Sequence, residues 1–75
     1  METAAWAFIF SGIGAVGSVF AGALGISRIA KTSVESIARQ PEAANDIRGV
    51  MIITAAMIEG VTLLALVICF LLSFK

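Results

Sequence analysis

Glu59 is the residue whose type and position most constrain the chemistry of this 75-residue chain. It is the single charge among the 26 positions from Gly49 to Phe74, the rest of which are apolar or small and uncharged. Counted from Gly49 it lies ten residues in, roughly 15 Å along a helix that rises about 1.5 Å per residue. That depth is close to the middle of a hydrocarbon layer about 30 Å thick. An ionised carboxylate held there costs at least about 2.5–3.5 kcal/mol. No basic residue in the surrounding stretch offsets it, none lies at that depth between Thr3 and Ser27, and Arg28 and Arg48 are expected at the polar end of the chain. Facing lipid, the group is therefore expected to hold its proton, because desolvation disfavours the charged form. The same acid ionises when a water path or a fixed positive charge reaches it, which makes it a proton carrier. A hydrogen bond that merely fixes helix register is the alternative, but an amide would serve that purpose without a titratable group.

The neighbours bear on which ion is carried. Thr62 is about one helical turn beyond Glu59, so its hydroxyl can meet the carboxyl or bond back to a carbonyl of its own helix. Gly60 brings no side-chain oxygen, and Met57, Ile58, Val61, Leu63 and Leu64 offer only backbone. A sodium ion needs several oxygen ligands, whereas a proton needs one carboxyl and one acceptor, so H+ is the expected ion. The chain has no histidine, no metal-ligand cluster and no nucleotide-binding motif. It is read as non-catalytic on its own, without cofactor or metal. Cys69 sits alone in an apolar run and is read as a packing residue.

The elements that must place Glu59 follow from composition. Hydrophobic residues make up 60% of the chain and mean hydropathy is +1.07, too much apolar surface for so small a domain to hide. Thr3 to Ser27 gives 25 positions without a charge, enough to cross the hydrocarbon layer as a helix. Two segments cannot close a barrel, so both spans are helices. Helix 1 is expected over 3–38 (membrane part about 3–27), a polar loop over 39–45 and helix 2 over 46–74 (membrane part about 49–74). The break falls at Arg39-Gln40-Pro41, since Pro41 disfavours a helical Gln40 and has no amide hydrogen. Asp46 or Asn45 is the expected cap of helix 2. The fold class is thus an all-α membrane protein, a two-transmembrane-helix hairpin.

Four of the five basic residues, Arg28, Lys31, Arg39 and Arg48, flank or occupy the turn, and Lys75 lies at the other end. The positive-inside bias puts the loop in the cytoplasm and both termini on the outer side. The N-terminus lacks the basic region of a signal peptide, so the chain is read as mature and complete, in the inner (plasma) membrane of a bacterium rather than an organelle. A formal net charge of zero without a dense basic patch argues against a nucleic-acid partner. Small residues fill ten of the fifteen positions from Ser11 to Gly25. Gly14, Ser18 and Gly22 repeat every fourth residue, as do Gly17, Ala21 and Gly25, so two adjoining strips of helix 1 allow close approach. Packing on more than one side suits the inner layer of a homo-oligomeric ring.

These features together resemble the c subunit of F-type ATP synthases, the rotor-ring proteolipid, over essentially the whole chain. The resemblance rests on the small-residue helix 1, on the loop Val34-Glu35-Ser36-Ile37-Ala38-Arg39-Gln40-Pro41-Glu42-Ala43, and on Ala55-Ala56-Met57-Ile58-Glu59-Gly60-Val61. Its specific core is Ala-Arg-Gln-Pro, with 18 residues from Pro41 to Glu59. The resemblance implies a ring of identical hairpins in membrane lipid, first helices inside. Glu59 matches the reversibly protonated, carbodiimide-reactive carboxylate. Arg39, Gln40 and Pro41 match the loop gripped by the central-stalk subunits gamma and epsilon. A stator subunit a would supply two half-channels and an arginine. Sodium-type members carry a Gln in helix 1 and a Ser or Thr after the carboxylate; here these positions are Ile26 and Gly60. Val19-Phe20-Ala21-Gly22-Ala23-Leu24-Gly25 departs from the family's alternate glycines, which bears on the number of copies in a ring. A sodium-coupled ring, a holin-like pore-forming hairpin and an accessory hairpin of a larger complex are the rival readings.

Overall fold

A computed structural model describes residues 2–74; Lys75, the basic residue expected on the outer side, lies outside them. Helix α1 runs Thr3–Arg39, a 3-10 turn follows at Pro41–Ala43, and helix α2 runs Ala44–Leu72. The two helices pack antiparallel into a plank whose extents are 59 × 15 × 7 Å. A 37-residue helix accounts for roughly 55 Å of that length, so the hairpin extends beyond a hydrocarbon layer of about 30 Å. Both helices are long and apolar enough to cross a membrane.

The hairpin has no core of its own. Among the described residues only Ser11 and Gly22 are buried, and no hydrophobic side chain is. The accessible surface is 5600 Å², against about 4,400 Å² for a globular monomer of this mass. Phe20 and Val61 are each 70% exposed. Such a surface needs lipid or other protein against it.

The turn differs in detail from its expected limits. Helix α1 ends at Arg39, one residue beyond 38, and α2 starts at Ala44, two residues before 46. Gln40 leaves the helical region with φ −135° and ψ 70° while its N–H still bonds Ser36 O. Pro41 then opens the 3-10 turn, closed by Ala43 N–H to Gln40 O at 2.9 Å. The Ala44 N–H bonds Pro41 O, so the chain enters α2 with its first amides already served. Neither Asp46 nor Asn45 is therefore the cap: Ala43 occupies that position and no side chain caps the helix. Asp46 instead lies in the first turn, where a negative charge suits the positive end of the helix dipole. At the other end α2 stops at Leu72, two residues short of 74, and the Ser73 N–H is taken by the carbonyls of its last turn.

Three glycines set the register. A Cβ built on Gly14 would stand 2.9 Å from Cys69 Sγ, one on Gly22 would meet Thr62, and one on Gly25 would stand 3.3 Å from Ile58 Cδ1. The row Gly14-Ser18-Gly22 thus lies on the seam with the hairpin's own second helix, and Gly25 joins it. Gly12 and Gly17 have nothing within 4 Å of an added Cβ, and Ala21 is exposed. The small-residue pattern alone does not tell a seam within one hairpin from a contact between copies. The structure places four of the six small residues on the former and leaves Gly17 and Ala21 open.

At the end remote from the turn, Trp6 stacks on Phe10 with centroids 5.9 Å apart. Phe70 meets Phe74 edge-on at 5.0 Å. With Phe8, five of the chain's six aromatic residues gather at this end, and Trp6 among them is of the type that favours a membrane interface.

Candidate functional site

Glu59 projects from α2 beside the seam, not into it. The seam stripe of α2 runs through Ile47, Met51, Thr54, Ala55, Ile58, Thr62, Ala65, Leu66 and Cys69, all half-buried, while Glu59 itself is exposed. Its carboxyl side lies over the groove between the helices. One hollow of about 270 Å³ is lined by Val19, Gly22, Ala23, Ile26, Glu59, Thr62, Leu63 and Leu66. A second of about 370 Å³, towards the turn, is lined by Ile26, Ala30, Met51, Ile52, Ala55, Ala56 and Glu59. Glu59 and Ile26 are common to both. Apart from Glu59, no residue lining either hollow carries a charge.

The register brings one cation nearer in level than counting along α2 suggests. With Gly25 opposite Ile58, Arg28 stands about level with Ala55, roughly 6 Å from Glu59 along the axis. Arg28 thus lies on the turn side of Glu59. Two residues of α1 turn about 200°, so Arg28 points some 160° away from Ile26 and leaves the Glu59 hollows uncharged.

Thr62 and Glu59 share the first hollow, and the Thr62 side chain abuts Gly22. Thr54, by contrast, donates to Val50 O at 2.7 Å. Among the described residues Glu59 and Thr62 make no side-chain hydrogen bond. Gly60 faces away from the seam, with nothing within 4 Å of an added Cβ. Of the two positions compared with sodium ligands in the sequence, Ile26 and Gly60, only Ile26 lies in the Glu59 groove, and it brings only hydrocarbon there. Arg39, Gln40 and Pro41 are exposed together at the turn, about 27 Å from Glu59 by the helical rise. They form a separate surface and not part of the carboxylate site.

The site is thus a lone acid on a helix long and apolar enough to cross a membrane, with hydrocarbon side chains around it and one hydroxyl-bearing residue lining the same hollow. The profile of the ATP synthase C subunit family matches residues 3–72. The chain belongs to the family of ATP synthase c subunits. A protein named as the ATP synthase c subunit of Bacteroides thetaiotaomicron is 56% identical over 62 residues, covering 83% of this chain and 73% of that protein. One of the same name from Phocaeicola vulgatus is 50% identical over 62 residues, 83% and 74% of the two chains. A third, from Lactobacillus helveticus, is 37% identical over 70 residues, 93% and 91% respectively. No solved structure gives a significant match. The c subunit of an ATP synthase is a membrane subunit, in keeping with two apolar helices that have no soluble core to form.

The seam holds what local sequence does not signal. The Gly22–Thr62 contact joins residues 40 positions apart, and no spacing within either helix points to it. The aromatic end is different: Trp6, Phe8, Phe10, Phe70 and Phe74 cluster near the two ends of the sequence, and an antiparallel hairpin brings them to one end.

Proposed function

We propose that this chain is a proton-translocating rotor element in which Glu59 is reversibly protonated. Identical hairpins form a ring in the membrane, and Gly17 and Ala21 offer the open small-residue strip for contact between copies. Each Glu59 takes a proton from an outer half-channel of the stator subunit a, turns through lipid as the neutral acid, and releases the proton on the cytoplasmic side. Passage of one elementary charge through about 100 mV supplies about 2.3 kcal/mol. The turn residues Arg39, Gln40 and Pro41 face the cytoplasm and bear on the central-stalk subunits gamma and epsilon. Both termini lie outside, in the inner membrane of a bacterium, with the aromatic end at the outer interface. The chain makes and breaks no covalent bond beyond this proton exchange and uses no cofactor.

The observation that carries the reading is the environment of Glu59: an exposed acid on a membrane-spanning helix, over hollows lined by uncharged residues. An ion carrier must be accessible at the periphery and neutral when it faces oil, and both conditions fit this placement. Proton over sodium is supported by Ile26 and Gly60, which bring no side-chain oxygen. The test is Glu59→Gln in the complete ATP synthase. The amide is isosteric and cannot carry a proton, so complexes should assemble in normal amounts and lose proton-driven ATP synthesis. Full coupling in that variant would refute the carrier role.

A further inference from the structure

The two threonines of α2 are treated differently by their surroundings. Thr54 donates to Val50 O at 2.7 Å and lies 3.2 Å from Met51 O, the usual fate of a hydroxyl in a membrane helix. Thr62 has no hydrogen-bond partner among the described residues, yet no buried side-chain oxygen is left unpaired. Its oxygen is therefore not sealed inside the seam, and Thr62 lines the hollow it shares with Glu59. What lets it stand there is the missing side chain across the seam. A Cβ on Gly22 would be 2.5 Å from Thr62 Oγ1, 3.2 Å from Cγ2 and 3.3 Å from Cβ. The first distance admits no side chain, so any residue but glycine at 22 forces the Thr62 hydroxyl to another position or the helices apart.

We propose that Gly22 is a positioning residue for the proton site: by lacking a side chain it lets the Thr62 hydroxyl stand beside Glu59, where Oγ1 accepts the hydrogen bond of the neutral carboxyl. This rests on Glu59 being the proton carrier. A carboxylic acid in hydrocarbon has one O–H to place, and leaving it unpaired is costly. A threonine hydroxyl has two acceptor lone pairs, and either can take that bond. No other side chain lining the hollow bears a hydroxyl, amide or charge. Arg28 of α1 points to the opposite side, and the second hollow adds no titratable group besides Glu59. The bond is made by the neutral acid alone, so its loss reads out in the protonated fraction.

The experiment is carbodiimide labelling of Glu59 against pH, in native membrane vesicles that hold the complete ATP synthase. Only the protonated acid reacts, and the midpoint of the decline is read. Thr62→Ala should move that midpoint down by about 0.5–1 pH unit, the equivalent of one net hydrogen bond, and Thr62→Ser should restore it. Gly22→Ala should move it down in the parent chain and add nothing in the Thr62→Ala background. An unchanged midpoint in Thr62→Ala would overturn the inference. So would a Gly22→Ala shift, or a Gly22→Ala assembly defect, of equal size in both backgrounds, since glycine would then be needed for some other contact. If the parent Glu59 did not label at any pH, the proton-carrier reading itself would fail, not this refinement of it.

Discussion

The register of the two helices decides which side chains Glu59 meets, and the Gly14–Cys69 contact measures it at a site remote from the acid. An alanine at 14 would put its methyl 2.9 Å from Cys69 Sγ, whereas ordinary contact begins at 3.4 Å. Either the sulfur rotates away or the helices part by at least about 0.5 Å, and overpacking of that kind costs about 1–3 kcal/mol. Replacing glycine by alanine within a helix returns about 0.8–1.0 kcal/mol. Gly14→Ala should therefore destabilise the hairpin by about 0–2 kcal/mol. In a Cys69→Ala background the sulfur is gone, the new methyl fills its space, and the same change should stabilise by about 1 kcal/mol. The coupling in the double-mutant cycle is then about 1–3 kcal/mol, or roughly 5- to 150-fold in an equilibrium constant. The assay is loss of helical circular dichroism as the purified subunit in mild-detergent micelles is titrated with sodium dodecyl sulfate. Gly12→Ala, with open space around it, serves as the control that reports helix propensity alone. A coupling below about 0.3–0.5 kcal/mol, the value for independent sites, would refute the register and with it the place of Gly22 opposite Thr62.

Two further outcomes follow from the groove and the seam. Ile26→Gln adds a side-chain oxygen to the hollow that holds Glu59 and Thr62, and millimolar sodium should then slow carbodiimide labelling in vesicles where it leaves the parent chain unaffected; labelling indifferent to sodium would show that this groove does not build a cation site. Thr54→Val should change detergent-titration stability by no more than about 0.5 kcal/mol and leave ATP-driven proton pumping intact, because that hydroxyl bonds only its own helix; a loss of pumping would give Thr54 a role the structure does not.

The hairpin is legible in the sequence because lipid leaves so few choices. Two uncharged stretches of sufficient length must be helices, and one proline between them fixes where they part. Glu59 stands out for the same reason, as a charge where charge is costly. What the residues do not convey is how the helices face one another. Gly14, Ser18 and Gly22 read equally well as a surface for another copy, and only the antiparallel register turns them towards Cys69 and Thr62. Depth counted along one helix at a time does not give the level of Arg28 relative to Glu59, which depends on how the two helices face each other. Asp46 has the residue type of a cap but not the opportunity, since the 3-10 turn begun by Pro41 has already bonded the amides a cap would serve. In each case a local signal is sound and a contact from a distant part of the chain decides its use.

Labelling of parent vesicles by a hydrophobic carbodiimide, followed from acid to alkaline pH with and without sodium, addresses the carboxylate most directly. Modification should fall on Glu59 alone, slow as the pH rises, and be indifferent to millimolar sodium at neutral pH. Strong protection by sodium would make the carried ion a metal cation, and a rate that did not depend on pH would mean that Glu59 exchanges no proton.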